Sequence, residues 1–346
     1  MGKTNSSIVL NTTSKIWCML KLNNIIYNKK SLNLVAIGFG DNQIQIIDLF
    51  LMEVHQIIKT EDEVYSLAQF KNDSKYLIYT LSDGKMKIHV LDGNKYRHLQ
   101  TLKKPEELDK GELNKVITLS DGNLATAERG ALSIWKSKLE KGVKKFEFFK
   151  EIITDDDTCQ LLEVNPKILV CGIYSTKLIN VYKKNGEDYI LLEKIKNVES
   201  HGNNSNSMAK INDKLFCCGG KKGFIYIVSV EPVQVIQKII VGESDFVYVG
   251  FLHNSSDGFI FTAFAHDIIQ FEIINDEDGN FVELKKFDII DTGVKNEAII
   301  TTNDGKFFYK KYNENSHDKS LLILENYKMR NSNCEFKLSL NKYLKL

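Results

Sequence analysis

The stretch Ser120 to Lys136, SDGNLATAERGALSIWK, holds two turns and two short runs. A turn at Ser120, Asp121 and Gly122 leads into small and apolar residues, and a second at Arg129 and Gly130 leads into an alternating segment that ends at Trp135. Short alternating runs bounded by Gly and Asp turns read as a β-hairpin. Aligned on the second turn, six further hairpins appear: LVAIGFGDNQIQIIDL, YLIYTLSDGKMKIHVL, LVCGIYSTKLINVYK, LFCCGGKKGFIYIV, FIFTAFAHDIIQFEI and FFYKKYNENSHDKSLLILEN. With Asp41, Asp83, Gly130, Thr176, Lys222, His266 and Asp318 as anchors, successive spacings are 42, 47, 46, 46, 44 and 52 residues. The period is steady and helical periodicity is scarce, so the chain reads as all-β.

A repeat of about 40 to 45 residues carrying four short strands is the mark of a propeller blade. The second unit reads VYSLAQF, KYLIYTL, KMKIHVL and RHLQTL, and the fifth reads SMAKI, KLFCCGG, FIYIVSV and VQVIQKI. On this spacing the chain resembles the WD-repeat (WD40) family over nearly its whole length. The resemblance implies one seven-bladed β-propeller of four-stranded antiparallel blades, each running from an inner strand a to an outer strand d. The blades fall at approximately 14–59, 63–102, 113–153, 158–195, 207–240, 246–287 and 296–340. The family's Gly-His dipeptide is absent, and its Trp-Asp ending survives only as Ile134, Trp135 and Lys136. The polar network of His, Asp, Ser and Trp is therefore expected to be mostly missing, with Trp135 packed between blades. Two segments can supply the outer strand that closes the ring: SIVLN at 7–11 or CEFKLSL at 334–340.

Composition narrows the function classes. Lys plus Arg number 46 against 45 for Asp plus Glu, so no overall field favours nucleic acid or an anionic membrane. The longest apolar runs, such as 258–265, fall well short of the roughly 20 residues of a membrane helix, and no apolar signal-peptide core is present. These features point to the cytoplasm, with the nucleus compatible. None of the six cysteines forms a CxxC pair, which argues against zinc and a disulfide scaffold. MGKTNSS fits an N-myristoylation pattern with Gly2 as acceptor and Ser6 at the selective position.

In a propeller, chemistry would reside in the channel lined by the inner strands. Only Glu163 and Glu297 offer carboxylates there and no His appears, too little for a metal-centred hydrolase or lyase. No catalytic residue, metal or cofactor is expected. The loops say more. The resemblance places the d-to-a and b-to-c loops on one rim, and six of the seven d-to-a loops carry acids. Glu61, Asp62, Glu63, Asp155, Asp156, Asp157, Glu243 and Asp245 are the candidate partner-binding residues, beside Glu106, Glu107, Asp109, Glu199, Asp288 and Asp291. Lys85, Arg129, Lys177, Lys221, Lys222 and Lys319 occupy b-to-c loops further out. An acidic inner mouth would favour a Lys- or Arg-rich peptide. The 103–114 loop is expected to form one short helical turn, and His201 sits in a long polar loop.

The resulting expectation is a non-catalytic interaction scaffold or adaptor subunit of a larger assembly, with other proteins as partners and no nucleic acid. One alternative is a propeller enzyme or a small-ligand or cation binder that uses the channel. Another is a phosphoinositide-binding propeller, which would need paired arginines where Arg97, Arg129 and Arg330 stand singly.

Overall fold

A computed structural model describes residues 8–11, 14–27, 30–49, 51, 53–70, 72–108, 111–154, 156–173, 178–196, 208–219, 223–241, 251–254, 259–264, 267–291, 296–301, 306–312 and 320–326. Their twenty-eight strands form seven four-stranded antiparallel sheets. In chain order the sheets cover 16–59, 64–102, 113–153, 158–195, 208–240 and 251–291, and the seventh joins 296–326 to Ile8–Asn11. The inner strands touch in succession, and the last, Asn296–Thr301, meets the first, Ile16–Tyr27, so the ring is closed.

Strand position explains strand composition. The second strands of blades two, three and four, Tyr76–Leu81, Leu124–Glu128 and Ile168–Ile173, are buried at every position. Each is covered on both faces by neighbouring blades, so it reads as a continuous run of buried side chains and not as an alternation. The outer strands carry the exposed residues: five of the eight in Asp188–Ile195 are exposed, including Ile190 and Leu192.

The core lies between blades. Leu34, Ile44 and Ile46 of blade one pack with Val64, Leu67 and Tyr79 of blade two. Met86 and Ile88 of blade two pack with Val116, Leu124 and Trp135 of blade three. Trp135 is 1% exposed, donates its indole N–H to Thr126 Oγ1 at 3.0 Å and meets Phe148 edge-on. The expected interblade role of Trp135 is what the structure shows.

A different polar network stands in blade three. Lys104 Nζ donates to Glu128 Oε2 at 2.7 Å and to Glu151 Oε1 at 2.6 Å, and Ser133 Oγ donates to Glu128 Oε1. The Lys104 and Glu128 side chains are each 2% exposed. Buried charge of this kind is tolerated only when every member is paired.

Side-chain amides add a second tie. Gln56 donates to Tyr96 O (2.8 Å) and accepts from Tyr96 N (2.8 Å), bracketing one peptide position on the next blade. Gln100 brackets Phe146 at 2.7 and 3.0 Å, and Gln237 brackets Leu284 at 3.1 and 2.9 Å. The three clamps join the outer strands of blades one and two, two and three, and five and six.

At the seam, Ile8–Asn11 pairs with Ser320–Asn326, Ile8 opposite Leu324 and Asn11 opposite Leu321. Pairing this edge removes a row of open backbone groups. Residues 334–340 lie outside the described residues.

Candidate functional site

The two acidic loops at 60–63 and 154–157 are built alike. In the first, Thr60 N donates to Asn42 O (2.9 Å), Thr60 Oγ1 to Asp62 O (2.8 Å), and Glu63 N to Asp62 Oδ1 (2.9 Å). In the second, Thr154 N donates to Gly130 O (3.1 Å), Thr154 Oγ1 to Asp156 O (2.8 Å), and Asp157 N to Asp156 Oδ1 (2.7 Å). Asp62 and Asp156 therefore shape their own turns, the local bonding for which Asp is chosen in loops. Glu61 is ion-paired with Lys87, and that hydrogen bond holds its carboxyl below the usual carboxylate range despite some burial. Asp157 stands 3.9 Å from Arg129 Nε with both side chains exposed, a contact of little energetic weight.

Several predicted residues lie outside the described residues: Gly2, Asp109, Asp155, Lys177, Glu199, His201, Lys221, Lys222, Glu243, Asp245, Lys319 and Arg330, with the side chains of Asp291 and Glu297. The expected helical turn is present as Glu106–Leu108.

The first loop meets an aromatic pair. Trp17 and Tyr65 are each the second residue of an inner strand, Ile16–Tyr27 and Val64–Gln69, and their rings lie 5.3 Å apart at 59°. Burial pushes the Tyr65 phenol above its ordinary range, and the charges of Glu112, Glu63 and Asp62 push it the same way. The charges of three carboxylates from two loops thus reach one phenol. The Lys15 ammonium sits 3.3 Å above the centre of Trp17. Over Gly40, a point where a β-carbon would stand lies 3.1 Å from Trp17 Nε1, 3.5 Å from Ser14 Oγ and 3.6 Å from Glu63 Oε1. Trp17 Nε1 is itself buried without a hydrogen-bond partner. Such an unmet donor costs about 1–3 kcal/mol.

Trp17, Tyr65 and Glu112 were not among the sequence candidates. The available signal was an aromatic at the second position of strand a in two consecutive blades, KIW and EVY, with the acid Glu63 two residues ahead of Tyr65.

The channel differs from its expected chemistry. Glu163 accepts from Ser120 N (2.8 Å) and Ser120 Oγ (2.9 Å), so its carboxylate, raised by burial, caps the neighbouring blade's a-to-b turn. The inner strands also bring basic and thiol groups that the count of carboxylates passed over. Burial lowers the Lys115 amine to about 8 and raises the Cys18 thiol to about 12, with the charge of Lys115 opposing the latter shift. Among the described residues no group of three or more His, Cys, Asp or Glu is placed to hold a metal, and no helix is long and apolar enough to cross a membrane. Arg97 pairs with Asp92 at 3.1 Å, both exposed.

This architecture is that of the WD40 β-propellers. The WD40 propeller domain of Doa1 superposes with a TM-score of 0.63 at 13% identity, over 93% of this chain and 98% of that one. The structure of U3-55K matches with a TM-score of 0.68 at 10% identity, over 91% and 98% of the two chains. The WD40 repeats of RRP9 match with a TM-score of 0.68 at 10% identity, over 92% and 97%. At these identities the likeness is one of fold. No family model and no curated protein matches the sequence.

Proposed function

We propose that this propeller is a non-catalytic protein-interaction scaffold whose rim receives a Lys- or Arg-rich segment of another protein. The observation that carries this reading is the acidic loop at 60–63 set beside the Trp17–Tyr65 pair, with Trp17 Nε1 and Glu63 Oε1 both against Gly40 and the charges of Glu112, Glu63 and Asp62 felt at Tyr65. Carboxylates set against a low-dielectric aromatic wall concentrate negative potential where a basic side chain would arrive. A closed ring of blades offers that surface without rearranging, so little binding energy is spent on ordering the receiver. The alternative use of the channel for catalysis is weakened by the commitment of Glu163 to Ser120.

The test is capture of a labelled Lys/Arg-rich peptide, with a Glu-rich peptide of equal length as control, at about 50 and 300 mM salt. The basic peptide is expected to bind, and to bind several-fold more weakly at the higher salt. Replacing Asp62 and Glu63 together with Glu112 by their amides should weaken it about tenfold. Asp155, Asp156 and Asp157 as Asn should weaken it less. Binding untouched by either triple variant would remove the rim from consideration.

A further inference from the structure

Resting on that reading, we infer that the Trp17–Tyr65 pair is the seat of a single cationic residue bound together with a neighbouring peptide carbonyl, and that Lys15 occupies the seat in the free protein. Three observations on different groups converge. The first is Lys15 itself. Its ammonium lies 3.3 Å from the centre of the Trp17 ring, so the ring already takes a cation face-on. The Lys15 side chain is exposed and enters from two residues ahead of Trp17.

The second is the indole N–H. Trp17 Nε1 is buried without a partner and lies 3.1 Å from where a β-carbon on Gly40 would stand, a point 3.5 Å from Ser14 Oγ and 3.6 Å from Glu63 Oε1. A donor asks for an acceptor, and an ammonium has none to give. A peptide offers both parts: a carbonyl for Nε1 and a cationic side chain for the ring face. The third is the charge. Glu63, Asp62 and Glu112 act on the adjacent Tyr65, so an anionic ligand, which would also satisfy Nε1, is repelled. The class that meets all three conditions is a Lys- or Arg-containing peptide segment, and it must displace Lys15 to bind.

The probe is the labelled peptide acetyl-Gly-Lys-Gly-Lys-Gly-amide, followed by fluorescence anisotropy on the full chain, with butylammonium as a competitor that has a cation and no carbonyl. Lys15→Ala should tighten the peptide three- to tenfold, while Lys85→Ala, which removes the same charge from the rim without freeing a ring, should change it less than twofold. Trp17→Phe keeps a ring and removes the donor. It should weaken the peptide at least fivefold and leave competition by butylammonium within twofold.

Gly40→Ala tests the same space without altering a polar group, since its methyl would stand 3.1 Å from Nε1 and close the approach. It should weaken the peptide even if Trp17→Phe fails to fold. Salt-sensitive capture that Lys15→Ala, Trp17→Phe and Gly40→Ala all leave unchanged would overturn the seat and leave the acidic rim standing. No capture by either the native chain or Lys15→Ala would overturn the rim reading itself.

Discussion

The loops at 60–63 and 154–157 share sequence character, hydrogen bonds and place in the blade, yet they belong to different environments. After the second loop comes Thr158, whose Oγ1 accepts from Glu128 N at 2.7 Å and lies 2.8 and 2.7 Å from the carbonyls of Glu128 and Ala131. That ties the loop to the buried Lys104, Glu128 and Glu151 network. After the first loop the same position is Val64, whose side chain packs closely around Gly38 beside Cys18, and the next residue is Tyr65. One loop is locked into an ionic core, while the other borders an aromatic pair with an unmet donor. Acidic loops of the same construction thus acquire different surroundings from the blade they border.

The strongest way to break this contrast is to remove the centre of the ionic core. Lys104→Met leaves two buried carboxylates without their cation, and the expected loss is about 3–5 kcal/mol of unfolding free energy. Chemical denaturation measures it, and a loss below about 1 kcal/mol would show that the network is not a structural anchor for the second loop.

Acid should act on the other side of the comparison. His89, in Met86–Asp92 of blade two, is buried, and burial, then His98, then Lys87 lower its imidazole to about 4. Its ring faces Tyr79 and His98, and Lys87 is the partner of Glu61 in the first loop. An unfolded chain binds that proton near pH 6.5 and the native chain only near 4. Stability is therefore full above about pH 6.5 and falls as the pH drops toward 4, by up to about 3 kcal/mol. Hydrogen exchange across pH 7 to 4.5 should loosen 76–98 before 158–173, and His89→Phe should flatten the pH dependence. Equal loosening of both regions would count against the assignment to His89.

Smaller changes sharpen the contrast. Thr158→Val, which gives the second loop the residue type of the first, removes the partner of the Glu128 amide and should cost about 1–2 kcal/mol by thermal or chemical unfolding. For basic-peptide capture, Glu63→Gln should cost severalfold in affinity and Asp157→Asn less than twofold. At the bottom of the scale, Arg129→Ala removes only the exposed contact with Asp157 and should stay within about 0.5 kcal/mol of the native stability.

The fold was legible because its evidence is local. The hairpins of 76–91 and 124–135 each show buried runs and a turn within one stretch of chain, and their recurrence exposes the ring. The polar network was not legible in the same way. Lys104, Glu128, Ser133 and Glu151 carry no family signature, and Lys104 comes from the connection before the blade whose core it enters. The Gln clamps escape notice for a similar reason: Gln100 and Phe146 are 46 residues apart and share nothing that marks them as partners. At the rim, acid counts drew attention to Asp62 and Asp156, each of which accepts from the next residue's amide, and passed over Glu112, whose charge reaches Tyr65.

The sequence by itself determined the repeat, the number of blades and the strands that must be buried, because apolar periodicity and turn chemistry act over a few residues. Tertiary structure alone decided which outer strand closes the ring and which carboxylates are engaged within the chain, as Glu163 is by Ser120. It also decided that Trp17 and Tyr65 meet and that the charge of Glu112 reaches Tyr65. Each of those outcomes depends on residues about one blade or more apart in the chain, brought side by side by the packing of one sheet against the next.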